Sequence, residues 1–245
     1  MENAKGIDTP GHINEKFDSE VNNCDVPYRE LIGALMYLAV VLRPDIMNRV
    51  VFLAQFTSAY TKAHWIAAKR ILRYVKQTCN LGLTYKRGNF EINGYADADW
   101  GCDVTDRKSY TGYVFVMWNA AISWKSQKQK TVAMSAAEAE YMAITETAKE
   151  AIHIKNFLKE LKLKVDIKMF NDNQSANLLT RDAVFHARSK HIDLRYHFVR
   201  DVIKNNEFGL EYLPAEKTVA DVLTKPLCKP KHIFCCKGMG LKELE

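Results

Sequence analysis

The hydrophobic period of this chain changes near Arg87-Gly88, and that change limits the available folds more than any other feature. Beyond it, Phe90 to Ala96, Ser109 to Trp118 and Ala120 to Lys125 read as strands, the last two joined by a turn at Trp118-Asn119. A helix from Ser135 to about Leu163 follows, then a strand from Val165 to Phe170 and a helix from Asn173 to Thr180. After a loop come a helix from Ile192 to Asn205, a strand from Gly209 to Leu213 and a short last helix from Thr218 to Thr224. The order β-β-β-α-β-α-α-β-α predicts an α/β fold: a mixed sheet flanked by helices.

Before the switch the chain reads as helical. Tyr28 to Leu42 is rich in Leu, Ala and Met, Arg43-Pro44-Asp45 breaks it, and Pro44 suits a new helix start. Residues 1–26 are polar, with Gly6, Pro10 and Gly11, and read as a flexible lead-in. The expected organisation is therefore a lead-in at 1–26, a small helical domain at 27–88, the α/β domain at 89–228 and a C-terminal tail at 229–245. No apolar run approaches the roughly 18 residues a membrane span needs, so no membrane partner is expected. The six cysteines form no CxxC pair, which points to a reduced, intracellular protein. The same spacing argues against zinc on His186, His191, His197, Cys228, Cys235 and Cys236.

Four acidic residues stand each at the start or edge of its own element: Asp97, Glu140, Asp172 and Asp221. Carboxylates gathered from distant parts of a chain repel one another and are tolerable mainly when cations neutralise them. Hard oxygen ligands suit Mg²⁺, with Mn²⁺ as a substitute. Two such ions about 3.5–4 Å apart are a recurrent device for cutting phosphodiesters.

Each residue also has a plainer reading. Asp97 can be a turn former, and period 2 puts Asp99 on the same face, so strand pattern does not separate the two. Ser135-Ala-Ala-Glu138 fits a capping box, which gives Glu138 a structural task. Glu140 lies roughly 60° from the apolar stripe of its helix, over the sheet edge, and is preferred as the ligand. Asp172 can cap the helix that follows it, and Thr218-Val-Ala-Asp221 is a second possible capping box.

Charge is distributed unevenly. Ile46 to Phe90 holds eight Lys or Arg and no acid, and Arg107 to Ala137 is again acid-free, with Lys125, Lys128 and Lys130. Such stretches suit a polyanion. On the helix Lys62 to Lys76, the residues Lys62, Lys69, Arg73 and Lys76 fall in a stripe roughly 60° wide, suited either to a phosphate backbone or to solvent.

Tyr95-Ala-Asp-Ala-Asp-Trp100, Asp106-Arg-Lys-Ser-Tyr-Thr-Gly-Tyr-Val-Phe115, Ile122-Ser-Trp-Lys-Ser126 and Ser135-Ala-Ala-Glu-Ala-Glu-Tyr-Met-Ala143 form a specific series. Asn171-Asp-Asn-Gln-Ser-Ala176, Lys190-His-Ile-Asp193 and Ala220-Asp-Val-Leu-Thr-Lys-Pro-Leu227 continue it. The series resembles the ribonuclease H domain of copia-type LTR retrotransposon Pol polyproteins. Upstream, Pro27-Tyr-Arg-Glu-Leu-Ile-Gly-Ala-Leu-Met-Tyr-Leu38, Arg43-Pro-Asp-Ile46 and Arg70-Ile-Leu-Arg-Tyr74 resemble the thumb or connection end of the same elements' reverse transcriptase.

The resemblance implies a ribonuclease H-like sheet with Asp97, Glu140, Asp172 and Asp221 as catalytic metal ligands, Asp97 rather than Asp99 being the first of them. It implies two Mg²⁺ ions, an RNA–DNA hybrid as substrate and the missing polymerase part of Pol as a partner. It also implies residence in a cytoplasmic virus-like particle or in the nucleus. Polymerisation is not expected, since no Tyr-x-Asp-Asp motif is present. Lys125 to Lys130, with Arg188 and Lys190, are expected to hold backbone phosphates. Ribonucleases H often place a His shortly before the last Asp; Asn206 to Val219 has none, and His191 is a candidate proton shuttle. Two alternatives stand beside hybrid cleavage: an inactive hybrid-binding module or remnant of a degraded element, and, third, a DDE-type integrase or transposase.

Overall fold

A computed structural model describes residues 4–13, 15, 17, 25–88, 90–103, 105–181, 193–205 and 208–244. Three helices come first: α1 (Tyr28–Val41), α2 (Met47–Ala54) and α3 (Lys62–Gln77). A single 3₁₀ turn, Pro44–Ile46, joins the first two, with Pro44 at its first position, where a missing N–H costs nothing. Thr61 caps α3 in a reciprocal box with His64.

The five-stranded sheet consists of β2 (Glu91–Ala98), β3 (Tyr110–Met117), β4 (Ala120–Lys128), β5 (Asp166–Asn171) and β6 (Gly209–Tyr212), in the order β4-β3-β2-β5-β6. The β2–β3 and β3–β4 pairs are antiparallel; β5 runs parallel to β2, and β6 parallel to β5. Trp118 and Asn119 both adopt positive φ, the geometry of a tight hairpin turn. The mixed sheet flanked by helices expected from the sequence is the fold that forms.

Helix α4 (Ala136–Glu160) covers one face of the sheet, and Tyr141, Ile144, Ala148 and Ala151 pack there against Ile92, Ala96, Phe115 and Met169. Helices α5 (Gln174–Arg181) and α6 (Asp193–Lys204) complete that layer. On the other face, Val114, Val116 and Ala121 share a core with Tyr28, Leu35, Val50, Leu53, Ile71 and Tyr74 of the helical region. One continuous apolar cluster therefore crosses the switch at Arg87-Gly88.

Two segments depart from expectation. The stretch 229–245, set aside as a tail, contains α7 (Lys229–Gly238) and β7 (Leu241–Glu243), and β7 pairs antiparallel with β1 (Leu81–Leu83). Asp221 accordingly does not open the last helix; it lies in a 3₁₀ turn, Ala220–Leu223, ahead of α7. The lead-in is also less loose than its composition suggests. Asp8 pairs with Lys229 at 3.0 Å, Arg70 donates to Thr9 at 3.1 Å, and the Phe17 ring stacks on His64. Polar and Gly/Pro content alone does not report such contacts with distant helices.

Candidate metal centre

Two parallel strand ends and one helix meet at a single pocket. Asp97 is the penultimate residue of β2, while β5 ends at Asn171 and delivers Asp172 to the same sheet edge. Carboxyl ends of neighbouring parallel strands are where open α/β sheets place their ligand sites. Glu140 descends from the second turn of α4. Oxygens of Asp97, Glu140 and Asp172 all lie within 4.8 Å of one another. Asp97 and Glu140 are buried and Asp172 is half-buried.

Gly112 makes room for the fourth element. It sits opposite Asp97 on β3, and a Cβ there would meet Leu223 Cβ at 2.7 Å and Thr224 Cγ2 at 2.8 Å. Its bare backbone lets the turn 220–224 settle on the strand, where the Thr224 hydroxyl donates to Asp97 Oδ2. Asn171 fixes the other side: its Nδ2 donates to Glu140 Oε2 at 2.8 Å and to the Ala96 carbonyl at 3.2 Å.

This crowding raises the carboxyl pKa values. Burial, reinforced by Asp221 and opposed by Lys225, pushes Asp97 up to about 6. Burial and then Asp97 and Asp172 hold Glu140 well above the ordinary carboxyl range. Burial and then Asp221 raise Asp172. Two buried carboxyl groups and a half-buried third, which resist joint ionisation and offer only hard oxygens, fit a divalent cation.

Asp221 belongs to the same flank but stands one ion pair back from the trio. Its Oδ1 takes Lys225 Nζ at 2.8 Å and its Oδ2 takes Lys231 Nζ at 2.9 Å; Lys225 Nζ is also 3.7 Å from Asp97 Oδ2. Burial works to lower the Lys225 pKa, but Asp97 and Asp221 prevail and raise it. The sequence reading missed Asn171, Thr224, Lys225 and Lys231. Asn171, Thr224 and Lys225 lie inside the motifs that carry the resemblance, and Asp221 and Lys225 are spaced i,i+4; Lys231 has no such signal.

The rival acids are engaged elsewhere. Asp99 accepts the Tyr110 N–H, and burial first of all pushes it up to about 7. Glu138 Oε2 accepts the Met134 N–H at 2.9 Å, so the cap lies one residue outside the expected box, while Ser135 Oγ does cap Glu138 N. Asp172 is relieved of capping by Asn173, whose Oδ1 accepts from Ala176 N at 2.9 Å. The box at Thr218–Asp221 does not form: Val219 is the N-cap and makes no side-chain cap bond.

The basic candidates scatter. Arg73 Nε donates to the Lys5 carbonyl at 2.7 Å and Lys76 Nζ to the Ala4 carbonyl at 3.3 Å, so the lead-in lies over part of the α3 stripe. Lys69 sits over the Trp65 ring at 5.5 Å, and Lys62 is exposed. Lys128 is paired with Asp103 and, at 3.0 Å, with Asp106. Lys125 and Lys130 line a cavity of about 310 Å³ with Thr111, Gln129 and Lys149. Arg188, Lys190 and His191 lie outside the described residues.

A second group, Asp45, His232 and Cys236, also has ligand atoms within 4.8 Å. Its centre is taken by protein: the Tyr74 hydroxyl donates to Asp45 at 2.6 Å and lies 2.9 Å from His232 Nε2, while Arg43 forks onto both Asp45 oxygens.

No family model matches the chain. It is 39% identical over 251 residues to the retrovirus-related Pol polyprotein from transposon TNT 1-94 of Nicotiana tabacum, covering 98% of this chain and 19% of that one. It is 47% identical over 129 residues to secreted RxLR effector protein 161 of Plasmopara viticola, covering 52% of this chain and 91% of that protein. Among solved structures it is similar to the LC11 ribonuclease H1 isolated from compost, at 15% identity and a TM-score of 0.44 over 56% of this chain and 94% of that one. The chain thus spans about a fifth of the tobacco polyprotein. Among the described residues no helix is long and apolar enough to cross a membrane.

Proposed function

The chain belongs to the retrovirus-related Pol polyproteins of transposons, and from that premise we propose that it is an endonuclease hydrolysing the RNA strand of RNA–DNA hybrids. The observation that carries this reading is the convergence of Asp97, Glu140 and Asp172 within 4.8 Å. These three would hold the divalent ions, with Asp221 as the fourth ligand once Lys225 and Lys231 yield it. When bound, a Mg²⁺ pair supplies an activated water and neutralises charge on the leaving oxygen.

The protein's own part is positional. Asn171 and Thr224 donate hydrogen bonds to Glu140 and Asp97, which orients these carboxylates before substrate arrives. Lys225 and Lys231 neutralise part of the pocket's negative charge. RNA would be distinguished from DNA by 2′-hydroxyl contacts in the shallow minor groove. Lys125 and Lys130, which line one cavity, are the basic residues proposed to hold a phosphate backbone. The polymerase part of Pol is the proposed partner in the full polyprotein.

The double engagement of Asp221 by lysines favours a second reading, a module that binds hybrid without cutting it. One assay separates the two. The chain and its Asp172→Asn variant are given labelled hybrid and Mg²⁺. Cleavage by the parent alone, leaving 5′-phosphate and 3′-hydroxyl ends, is expected. Equal cleavage by both, or none by either, overturns the nuclease reading; binding without cleavage establishes the other.

A further inference from the structure

The rim of the carboxylate pocket carries an apolar ridge that the proposed chemistry leaves unused. Trp100 is 57% exposed, Val132 48% and Met134 79%. Single exposed apolar residues are ordinary, but a group of large ones beside a site is informative. The ridge is built in. Trp100 Nε1 donates to the Ala133 carbonyl at 3.2 Å, tying the loop after β2 to the loop before α4. Beneath it Ala98, Ala133, Ala139, Met142 and Ala143 form a small core of their own. Ala98 and Ala139 are the chain neighbours of Asp97 and Glu140, so ridge and ligands share one footing. The Met134 N–H is held by Glu138.

We propose that Trp100 and Met134 are the minor-groove contact of the hybrid, lying across its sugar faces and setting which linkage reaches the carboxylates. This rests on the nuclease reading. The chemistry follows from what the ridge lacks. It offers no free cation for phosphates, since Trp100, Val132 and Met134 are uncharged and the indole N–H is already spent. What it offers is flat apolar area, which suits the C–H faces of ribose and deoxyribose in a wide, shallow groove. A paired duplex presents those faces from two strands at once; single-stranded RNA does not. The two side chains act as positioning residues.

The test uses the full chain. Hybrid cleavage is measured for Trp100→Ala, Met134→Ala and Trp100→Phe, and hybrid and single-stranded RNA binding are measured for each in the cleavage-blocked Asp172→Asn background. Trp100→Ala should raise KM and weaken hybrid binding about tenfold, the scale of losing one aromatic contact to a nucleotide; Met134→Ala should move both in the same direction by a smaller factor, and kcat should stay within about twofold in each. Trp100→Phe should restore most of the affinity. Hybrid should also quench a tryptophan signal that Trp100→Phe lacks. Met134 is so exposed that its variant folds as the parent, and it decides the matter if Trp100→Ala does not fold. Unchanged KM and affinity in a parent that cleaves would sink the ridge and spare the nuclease. Equal losses for single-stranded RNA would overturn the groove contact in favour of base stacking. A parent that neither binds nor cleaves hybrid removes both readings.

Discussion

Lys225 and Asp221 form an ion pair 2.8 Å long, and the same ammonium reaches to 3.7 Å from Asp97. A monovalent cation thus stands between two carboxylates of the pocket. It competes with any divalent ion for the same oxygens. Lys225→Met should therefore bind Mg²⁺ several-fold more tightly than the parent, as read by calorimetric titration. The gain is modest because the Lys225 side chain is 38% exposed and solvent screens it. The metal-free variant should melt lower, since Asp97 and Asp221 lose a counter-charge. Unchanged or weaker Mg²⁺ binding would show that Lys225 does not compete for the site.

Gly112 is expected to be as sensitive as the carboxylates, though it carries no functional group. A Cβ at this position collides with Leu223 and Thr224, which together seat the turn holding Asp221. Gly112→Ala should cost about 1–3 kcal/mol through overpacking and should also lower hybrid cleavage, because Thr224 leaves Asp97. Gly33→Ala makes the opposite case. Nothing lies within 4 Å of its added Cβ, and it is a glycine inside an exposed helix turn. That change should stabilise the chain by up to about 1 kcal/mol. Urea denaturation of both variants reads the two signs; a neutral Gly112→Ala would mean the turn can shift without loss.

Much of this was legible in the sequence, because strands, helices and the quartet each carry local signals. The strand-like runs Phe90 to Ala96, Ser109 to Trp118 and Ala120 to Lys125 and the helical run from Ser135 to about Leu163 placed the sheet and its covering helix. Helical angle put Glu140 over the sheet edge, and the Ser135–Glu138 spacing gave Glu138 to the cap. Other features had no local signature. Asp97 and Asp99 share a strand face, and only the register opposite Tyr110 and Gly112 separates them. The strand β7 pairs with Leu81–Leu83, about 160 residues earlier, so the α7–β7 segment reads as a tail until β1 is beside it. Lys225 and Lys231 are ordinary lysines in sequence, and pairing to Asp221 is a property of the folded pocket.

The same long-range dependence makes Tyr74 a stability residue. Its hydroxyl bonds Asp45 and His232 across three elements, and its ring is fully buried. Burial and then Asp45 hold its pKa far above the phenol range, so it remains a donor throughout the accessible pH range. Tyr74→Phe keeps the ring but leaves Asp45 and His232 each short of a partner. Removing one member of a buried polar network costs about 1–3 kcal/mol, and the loss should appear in denaturant melts. Hybrid cleavage at a temperature where the variant stays folded should be unaffected, because none of these groups faces the carboxylate pocket. Parent-like stability would mean that water replaces the phenol without cost.

The pocket's raised carboxyl values set the direction of a pH test. Asp97 titrates near 6 and Asp99 near 7 in the folded chain, both above an unfolded aspartate, and Glu140 and Asp172 are raised as well. A group whose folded pKa exceeds its unfolded value stabilises fully below the unfolded value, and that contribution fades as pH rises through the folded one. The metal-free chain should lose stability from these groups between about pH 4 and pH 7. His64 and His232 act oppositely, since burial lowers their pKa values and the folded state loses stability as pH falls below the ordinary histidine range. The raw melting curve therefore mixes both, and the difference with and without Mg²⁺ isolates the carboxylates. Mg²⁺ requires them ionised, so its stabilisation should be larger at pH 8 than at pH 5.5. At a hundred times Kd a bound ion is worth about 2.7 kcal/mol, or roughly 2–4 °C per kcal/mol for a chain of this size. An Mg²⁺ shift that is equal at both pH values, or larger at the lower, would show that the trio is not the ion's binding site.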